Sequence, residues 1–263
     1  CPGMHIKAFT AIEIVHFTRI SKPRLSIEEV LIALREAGLD SLPGGGAEIF
    51  DDRVHNEAFK AKVGEKHWFD VHRAAHNLGI PTNATMLYGH IETYAERVEH
   101  LRLLREQQDK SKGFLAFIPL EYQISTEQIV ARHATALDDL KTVAVSRLML
   151  DNFPHVKAYW IMLQEDTAGI ALNFGADDVD GTIAKERIAH AADARSPVGV
   201  TRKRLVRLIR DAGKTPVERD ALYNIVKVYE DADVAAVVED TYRPVQRSRE
   251  SPRAGAPLAK NVS

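Results

Sequence analysis

Short apolar stretches recur along the first half of the chain at regular intervals. Met4 to Phe9 alternates apolar and polar positions, Leu39 to Leu42 is a brief apolar run, and Pro81 to Tyr88 and Phe114 to Leu120 are longer ones. Each predicts a buried strand. Helical patterns lie between them. Ser26 with Glu29 makes a capping-box pattern ahead of Val30, Leu31 and Leu34, and Gly38 stops that helix. Thr93 with Glu96 repeats the pattern ahead of Val98, Leu101 and Leu104, while Trp68 to Leu78 has helical spacing and ends at Gly79. Strand and helix in alternation predict a parallel sheet with right-handed crossovers, open or closed into a barrel. The working face then lies at the C-terminal ends of the strands, at Thr10 and Glu13, Pro43 to Glu48, Thr85 to Glu92, and Pro119 to Tyr122.

The pattern changes after residue 123. Leu137 to Leu150 predicts a helix with Asp138 and Asp139 in its first turn, where they complement the helix dipole. His155 to Leu163 fits one further strand. Thr201 caps a helix running to Ala212 and closed by Gly213. Tyr242 to Ser263, rich in Arg, Pro and Ser, predicts a disordered tail. The expected organisation is therefore 1–123 as strands and their helices, 124–241 as a mainly helical region, and 242–263 as the tail.

Composition narrows the function classes. The 263 residues are 45% hydrophobic and 27% charged with a net charge of -2, an ordinary globular balance with no basic footprint for nucleic acid. No apolar run is long enough for membrane insertion, and no secretory leader pattern opens the chain. Cys1 is the single cysteine, so no intrachain disulfide can form, and a cytoplasmic setting is expected. The chain opens Cys1-Pro2-Gly3 and runs straight into an apolar stretch, as expected of a sequence cut from a longer one.

Pro43-Gly44-Gly45-Gly46-Ala47-Glu48 is the most unusual local feature. Glycines at a strand end let the backbone approach a ligand and point amide groups at it, with Glu48 able to accept from ribose hydroxyls or an ammonium; a plain tight turn fits equally. His72 and His76 stand four apart on one helix face, a half metal site at most, since no third ligand is linked to them. Asp177, Asp178 and Asp180 ahead of Gly181-Thr182 fit a helix end followed by an Asx turn better than a cation site. There is no phosphate loop ending in Lys-Ser/Thr and no Gly-x-Ser-x-Gly elbow.

Thr85, Leu87, Gly89 and Glu92 have the spacing of the GxIxGxxE pattern of radical S-adenosylmethionine (SAM) proteins, with Thr and Leu replacing the first Gly and the Ile. Lys7 to Glu13, Gly38 to Glu48, Thr82 to Glu92 and Ala116 to Leu120 resemble the third to sixth barrel strands of one family. Asp138 to Leu140, Arg147 to Pro154, Lys157 to Trp160, Phe174 to Thr182 and Pro216 to Asn224 resemble its later segments. The resemblance covers residues 4 to 228. It is to the menaquinone and deazaflavin branch of radical SAM enzymes, and within it to the aminofutalosine synthase family above the sibling dehypoxanthine futalosine cyclases.

That resemblance implies a partial (β/α)6 barrel lacking its first two strands, followed by a mainly helical region. It implies a [4Fe–4S] cluster held by a CxxxCxxC loop, SAM as co-substrate, and an external electron donor. The 5′-deoxyadenosyl radical would add to the enolpyruvyl double bond of 3-[(1-carboxyvinyl)oxy]benzoate, a small-molecule substrate. On the resemblance, Glu48, Gly45, Gly46, Thr85, Leu87 and Gly89 would contact SAM, and Thr10, Glu13, Asn83, Asp178 and Asp180 would face the substrate. The cluster cysteines are not in this sequence, so no metal ligand is assigned and the chain alone is expected to be inactive. Glu121 to Ala136 departs from the family pattern. A non-catalytic barrel binding an adenosine-like ligand remains the alternative of a different class.

Overall fold

Two parallel strands organise the first half of the computed structural model, β1 (Thr82–Tyr88) and β2 (Phe114–Glu121). Residues 3–124, 129–182, 196–197 and 199–230 are described. Ahead of β1 come helices α1 (Ala11–Ile20), α2 (Ile27–Glu36), α3 (Asp52–Ala58) and α4 (Glu65–Asn77). α5 (Tyr94–Ser111) joins β1 to β2, and α6 (Ala136–Met149) leads to the short β3 (His155–Val156). Then follow α7 (Trp160–Leu163), α8 (Glu165–Ala171), α9 (Arg202–Asp211), and an antiparallel hairpin of β4 (Val217–Arg219) and β5 (Ile225–Val228).

β1, β2 and β3 lie side by side in that order. Single parallel bridges extend the array, Lys7 to Ser41 and Leu42 to Thr82 on one side and Lys157 to Asp178 on the other. The stretches around Lys7 and Ser41 were expected as full strands and are reduced to bridges. The Ile6 carbonyl accepts from both Asp40 and Ser41 N–H, and the Ile6 N–H is taken by the Asp40 carboxylate at 2.7 Å, so side-chain bonding replaces the ladder. The expected strand His155 to Leu163 also ends early, because Trp160–Leu163 forms a helical turn. Trp160, Ile161 and Leu163 are all buried, and a continuous apolar run does not distinguish a strand from a buried turn.

The helix starts at Ser26 and Thr93 are capping boxes as expected: Glu29 N–H reaches Ser26 Oγ at 3.2 Å while Glu29 Oε2 accepts from Ser26 N–H at 2.7 Å, and Thr93 with Glu96 does likewise. α1 and α3 were not foreseen. α1 begins at Thr10 with Glu13 completing a third capping box, and α3 begins at Asp51, whose carboxylate accepts from Val54 N–H at 2.9 Å. The second half carries the β4–β5 hairpin besides its helices. The tail expected from Tyr242 lies outside the described residues.

Side chains of β1 alternate between two environments. Thr82, Ala84, Met86 and Tyr88 meet the helices: Thr82 bonds to His72 and His76 of α4, and Tyr88 Oη donates to Asp139 of α6 at 2.8 Å. Trp68 of α4, Phe114 and Phe153 stack in this layer, with Trp68 fully buried. Truncation of such a residue costs about 3–5 kcal/mol. Asn83, Thr85 and Leu87 point the other way. Paired residues of parallel strands project to the same side, so this inner face also holds Ser41, Ala116, Ile118, Leu120, His155, Lys157, Asp178 and Lys7.

Burial pushes the Lys7 ammonium below the usual lysine range, with Lys157 and Arg219 adding to that and Asp180 and Asp178 opposing it.

Candidate functional site

The Pro43–Glu48 loop is hung from β1 at two points. Asn83 N–H donates to the Leu42 carbonyl at 3.1 Å and Leu87 N–H to the Glu48 carbonyl at 3.0 Å. Between them the Gly44 carbonyl accepts from Trp68 Nε1 at 3.1 Å and from Thr85 Oγ1 at 2.9 Å. Gly44 is pressed on β1 so closely that a Cβ would lie 2.6 Å from the Asn83 carbonyl oxygen. Gly46, at φ 114°, faces the Ile12 side chain of α1, and Gly45 lies by the Thr10 methyl. Among the described residues the N–H groups of Gly45, Gly46 and Ala47 find no acceptor. Such free amides are available to a polar or anionic ligand.

Glu48 adopts φ 58°, a left-handed conformation unusual for a glutamate, at the residue that closes the loop. Its carboxylate, mostly buried, pairs with Lys62 at 3.0 Å. Lys62 was not singled out in the sequence, since nothing local links it to Glu48. Asn83, also hung from the loop, is 4% exposed, and its Oδ1 has no hydrogen-bond partner among the described residues. It is an orphaned buried acceptor on the inner face, beside the loop.

Past β1 the chain turns at Gly89, φ 89°. Glu92, with a fully buried side chain, accepts from the N–H groups of Gly89 at 2.7 Å and His90 at 2.9 Å, and pairs with Arg97 at 2.7 Å. Burial acts to raise the Glu92 pKa, but the His90 ring, the Gly89 N–H and Arg97 outweigh it and hold it at about 2. The final position of the GxIxGxxE-like spacing thus pins the strand-end loop. Thr10 and Glu13 are likewise engaged with each other: Glu13 Oε2 accepts from Thr10 N–H at 2.6 Å and Thr10 Oγ1 at 3.1 Å, fixing α1 beside Gly45.

Asp178 and Asp180 lie on the inner face in an ion-pair cluster. Lys157 Nζ is 3.1 Å from Asp180 and 3.9 Å from Asp178, and Arg219 Nε of β4 donates to Asp178 at 3.0 Å. Asp180 N–H donates to Asp178 Oδ1 at 2.6 Å, the expected Asx turn. Burial pushes Asp178 upward, but Lys157 and Arg219 bring its pKa below the usual carboxylate value. Arg219 stacks over Tyr223, which stacks on His155, so the hairpin is keyed to the array through this cluster. The structure therefore gathers Gly45, Gly46, Glu48, Asn83, Thr85 and Leu87 at one strand-end site and sets Asp178 and Asp180 within the cationic cluster. Sequence reading missed the roles of Lys62, Lys157 and Arg219, whose partners are far away along the chain.

His72 and His76 both turn to Thr82 Oγ1 at 2.9 Å, and His76 also meets Ser111. His100 accepts from Phe50 N–H through Nδ1 and donates to the Thr85 carbonyl through Nε2, supporting β1 from behind. Burial pushes His76 down to about 4 and His100 to about 3, and His72 well below its usual value. These are neutral core imidazoles. Among the described residues no group of three His, Cys, Asp or Glu gathers to hold a metal, and no helix is long and apolar enough to cross a membrane.

Comparison with known proteins agrees with this layout. Residues 3–104 match the Radical SAM superfamily, and residues 111–232 match the CofH/MqnC C-terminal region. A protein of Thermus thermophilus named aminodeoxyfutalosine synthase is 52% identical over 87% of this chain and 62% of its own length. Its namesake in Streptomyces coelicolor is 46% identical over 89% of this chain and 63% of its own. A cyclic dehypoxanthine futalosine synthase of Streptomyces coelicolor is 36% identical over 88% and 57%. The chain thus spans less than two thirds of the length of these relatives. With strand-end loops, inner face and C-terminal region all falling within the two matched families, the chain belongs to the radical SAM superfamily and is similar, within it, to the aminodeoxyfutalosine synthases.

Proposed function

We propose that this chain holds SAM and substrate in an aminodeoxyfutalosine synthase of menaquinone biosynthesis, as the greater part of a partial (β/α)6 barrel. The observation that carries the reading is the strand-end site, where the amides of Gly45, Gly46 and Ala47 are unpaired among the described residues and Asn83 Oδ1 is a buried acceptor beside the same loop, in a chain 52% identical to a protein of that name. Superfamily membership implies SAM and a [4Fe–4S] cluster. The site fits SAM: free N–H groups suit its carboxylate and ring nitrogens, Asn83 Oδ1 suits an ammonium or hydroxyl donor, and Leu87 and Gly89 offer an apolar edge for adenine. It does not fit the cluster, because Cys1 is the only cysteine and three thiolates are required.

A cluster, for which this sequence has too few cysteines, would supply the electron that cleaves SAM. The residues of this chain position and exclude water. The Gly44 carbonyl, fixed by Trp68 and Thr85, sets the amide cradle, and Glu48, paired with Lys62, closes it. The deoxyadenosyl carbon would then meet the vinyl carbon of 3-[(1-carboxyvinyl)oxy]benzoate over the apolar inner face of Leu87, Ile118 and Leu120. Thr10 and Glu13 act through α1, which backs Gly45 and Gly46. An external electron donor is required.

Calorimetric titration of SAM tests the site directly. Glu48→Ala removes a carboxylate whose partner Lys62 remains solvated, so the fold loses less than about 1 kcal/mol, while SAM affinity falls at least tenfold. Unchanged affinity would reject Glu48 as a SAM contact. Anaerobic reconstitution of the chain with iron, sulfide, SAM and substrate is expected to give no aminofutalosine, and product formation would refute the cluster's misfit.

A further inference from the structure

The seam between α5 and α6 is open in its middle. Two arginines of α5 staple it at either end. Arg97 pairs with Asp138 of α6 at 3.0 Å and donates to Thr142 Oγ1 at 2.9 Å, and Tyr94 Oη donates to the same Asp138 at 2.9 Å. Arg105 donates to the Met149 carbonyl at the end of α6 at 2.6 Å and pairs with Asp151. Between the staples α6 brings little apolar bulk inward. Of its buried side chains only Val143 is apolar, while Asp139 is taken by Tyr88, Thr142 by Arg97 and Ser146 by the Thr142 carbonyl. Polar bonds join the two helices at their ends and leave them apart at the centre.

What remains there is a cleft of about 300 Å³, at the lower end of the range for small-molecule sites. Buried Met86 of β1 and Leu101 of α5 form its floor, and half-exposed Val98 and Val145 line it higher up. From Arg97 to Arg105 the α5 wall runs about 12 Å at 1.5 Å per residue. With carbon–carbon bonds of about 1.5 Å laid in a zigzag, about nine carbons cover that length. An unbranched chain follows a trough between two helices, and the flexible Met86 side chain adapts to it.

One cation stands at the lip without a partner. Lys141 of α6 lines the cleft, is exposed, and forms no ion pair or hydrogen bond among the described residues. Arg97, which also lines it, is engaged with Glu92 and Asp138. An apolar trough with one available ammonium at its edge suits an amphiphile with a single anionic head. A carboxylate is compact enough for the point charge of a lysine, and a more highly charged head would meet Asp138, one helical turn before Lys141.

We propose that the α5–α6 cleft binds a free medium-chain alkyl carboxylate, with its chain over Met86 and Leu101 between the arginine staples and its head at Lys141. The cleft lies on the helix side of β1, away from the strand-end site, and the proposal stands whether or not that site takes SAM.

The test titrates decanoate, decanol and butyrate into the chain labelled with carbon-13 at its methionine methyls, where Met86→Leu assigns one of the four signals. Decanoate is expected to shift the Met86 methyl saturably. Each buried methylene contributes about fourfold in affinity, so butyrate should bind at least about a hundredfold more weakly. Lys141→Glu, at an exposed position, is expected to weaken decanoate about fivefold and to leave decanol unchanged. Vesicles of phosphatidylcholine and phosphatidylglycerol test the other source of an alkyl chain and are expected to leave the Met86 signal in place. A Met86 methyl unmoved by decanoate, butyrate binding as tightly as decanoate, or an unaltered decanoate affinity in Lys141→Glu would each overturn the proposal. Equal weakening of decanol and decanoate in Lys141→Glu would overturn the placement of the head. A Met86 shift produced by vesicles and not by decanoate would assign the cleft to a membrane lipid and overturn the free carboxylate.

Discussion

Substituting the three glycines of the strand-end loop one at a time separates packing from ligand access. In Gly44→Ala the new Cβ meets three backbone atoms of Asn83 and Ala84 at 2.6–2.7 Å. Carbon contacts settle near 3.5–4.0 Å, so loop and strand must part by about 1 Å. Overpacking of this kind costs about 1–3 kcal/mol. The displaced carbonyl also loses bonds from Trp68 Nε1 and Thr85 Oγ1, and the indole N–H is buried. An unpaired buried donor adds about 1–3 kcal/mol. The reduced freedom of the unfolded chain returns under about 1 kcal/mol. A net loss of about 3–4 kcal/mol is expected, a large part of an ordinary domain's 5–15 kcal/mol.

The neighbouring positions provide the controls. At Gly45 a Cβ lies 3.5 Å from the Thr10 methyl, an ordinary contact, so Gly45→Ala shifts stability by less than about 0.5 kcal/mol. Gly46 has φ 114° and a Cβ site 3.0 Å from the flexible Ile12 side chain, which places Gly46→Ala between the two, at about 1–3 kcal/mol. Equilibrium urea unfolding followed by tryptophan fluorescence measures all three, since Trp68 reports on the contact itself. A Gly44→Ala midpoint equal to that of Gly45→Ala would refute the packing reasoning. Gly45→Ala should still weaken SAM binding if the Gly45 amide faces the ligand, so stability and affinity change at different glycines.

The buried imidazoles make stability fall in mild acid. Their folded pKa values lie below the unfolded value of 6.5, so their contribution is complete above about pH 6.5 and is lost as pH falls towards about 4 for His76 and about 3 for His100. By pH 5 each excluded protonation costs about 2 kcal/mol, and denaturant midpoints unchanged between pH 7.5 and 5 would contradict it. Asp178→Asn removes the anion that Arg219 and Lys157 share, with an expected loss of about 3 kcal/mol and faster amide exchange in the β4–β5 hairpin. Protection there equal to that of the unsubstituted chain would show that the hairpin is held otherwise.

Features fixed by near neighbours were legible in the sequence. The boxes at Ser26/Glu29 and Thr93/Glu96 start helices because both partners lie within one turn. β1 and β2 were legible because their apolar runs sit between clear helical periods. Thr10 and Glu13 show the limit of such reading: a Thr and a Glu three apart at a strand end serve equally as a cap or as ligand contacts, and only the structure shows them bonded to each other. The same holds for Asp220, which accepts from Leu222 and Asn224 N–H to make the β4–β5 turn, within a stretch valued only for its family likeness. The ion pairs lay beyond local reading altogether. Lys157 and Arg219 reach Asp178 from 21 and 41 positions away, and nothing in the spacing marks the inner face until the strands are paired.

The free amides at the candidate site follow from a mismatch in register. A regular parallel partner of β1 would offer the carbonyls of residues 42, 44 and 46 to the N–H groups of residues 83, 85 and 87. Here Leu42 meets Asn83, but it is Glu48 that meets Leu87. Four steps of β1 advance about 13 Å, whereas six steps of extended chain advance about 20 Å. The two surplus residues have nowhere to go except outward in a bulge. Within it, Gly44 is held to β1 through the Thr85 side chain in place of the ladder, and the amides after it find no acceptor among the described residues. Glu48 then takes φ 58° to bring the chain back into line. A bulge of unpaired amides costs stability in an empty site, and ligand groups that satisfy those amides offset the cost on binding. The surplus of two residues, more than the identity of any one glycine, is what equips this strand end to hold a polar ligand.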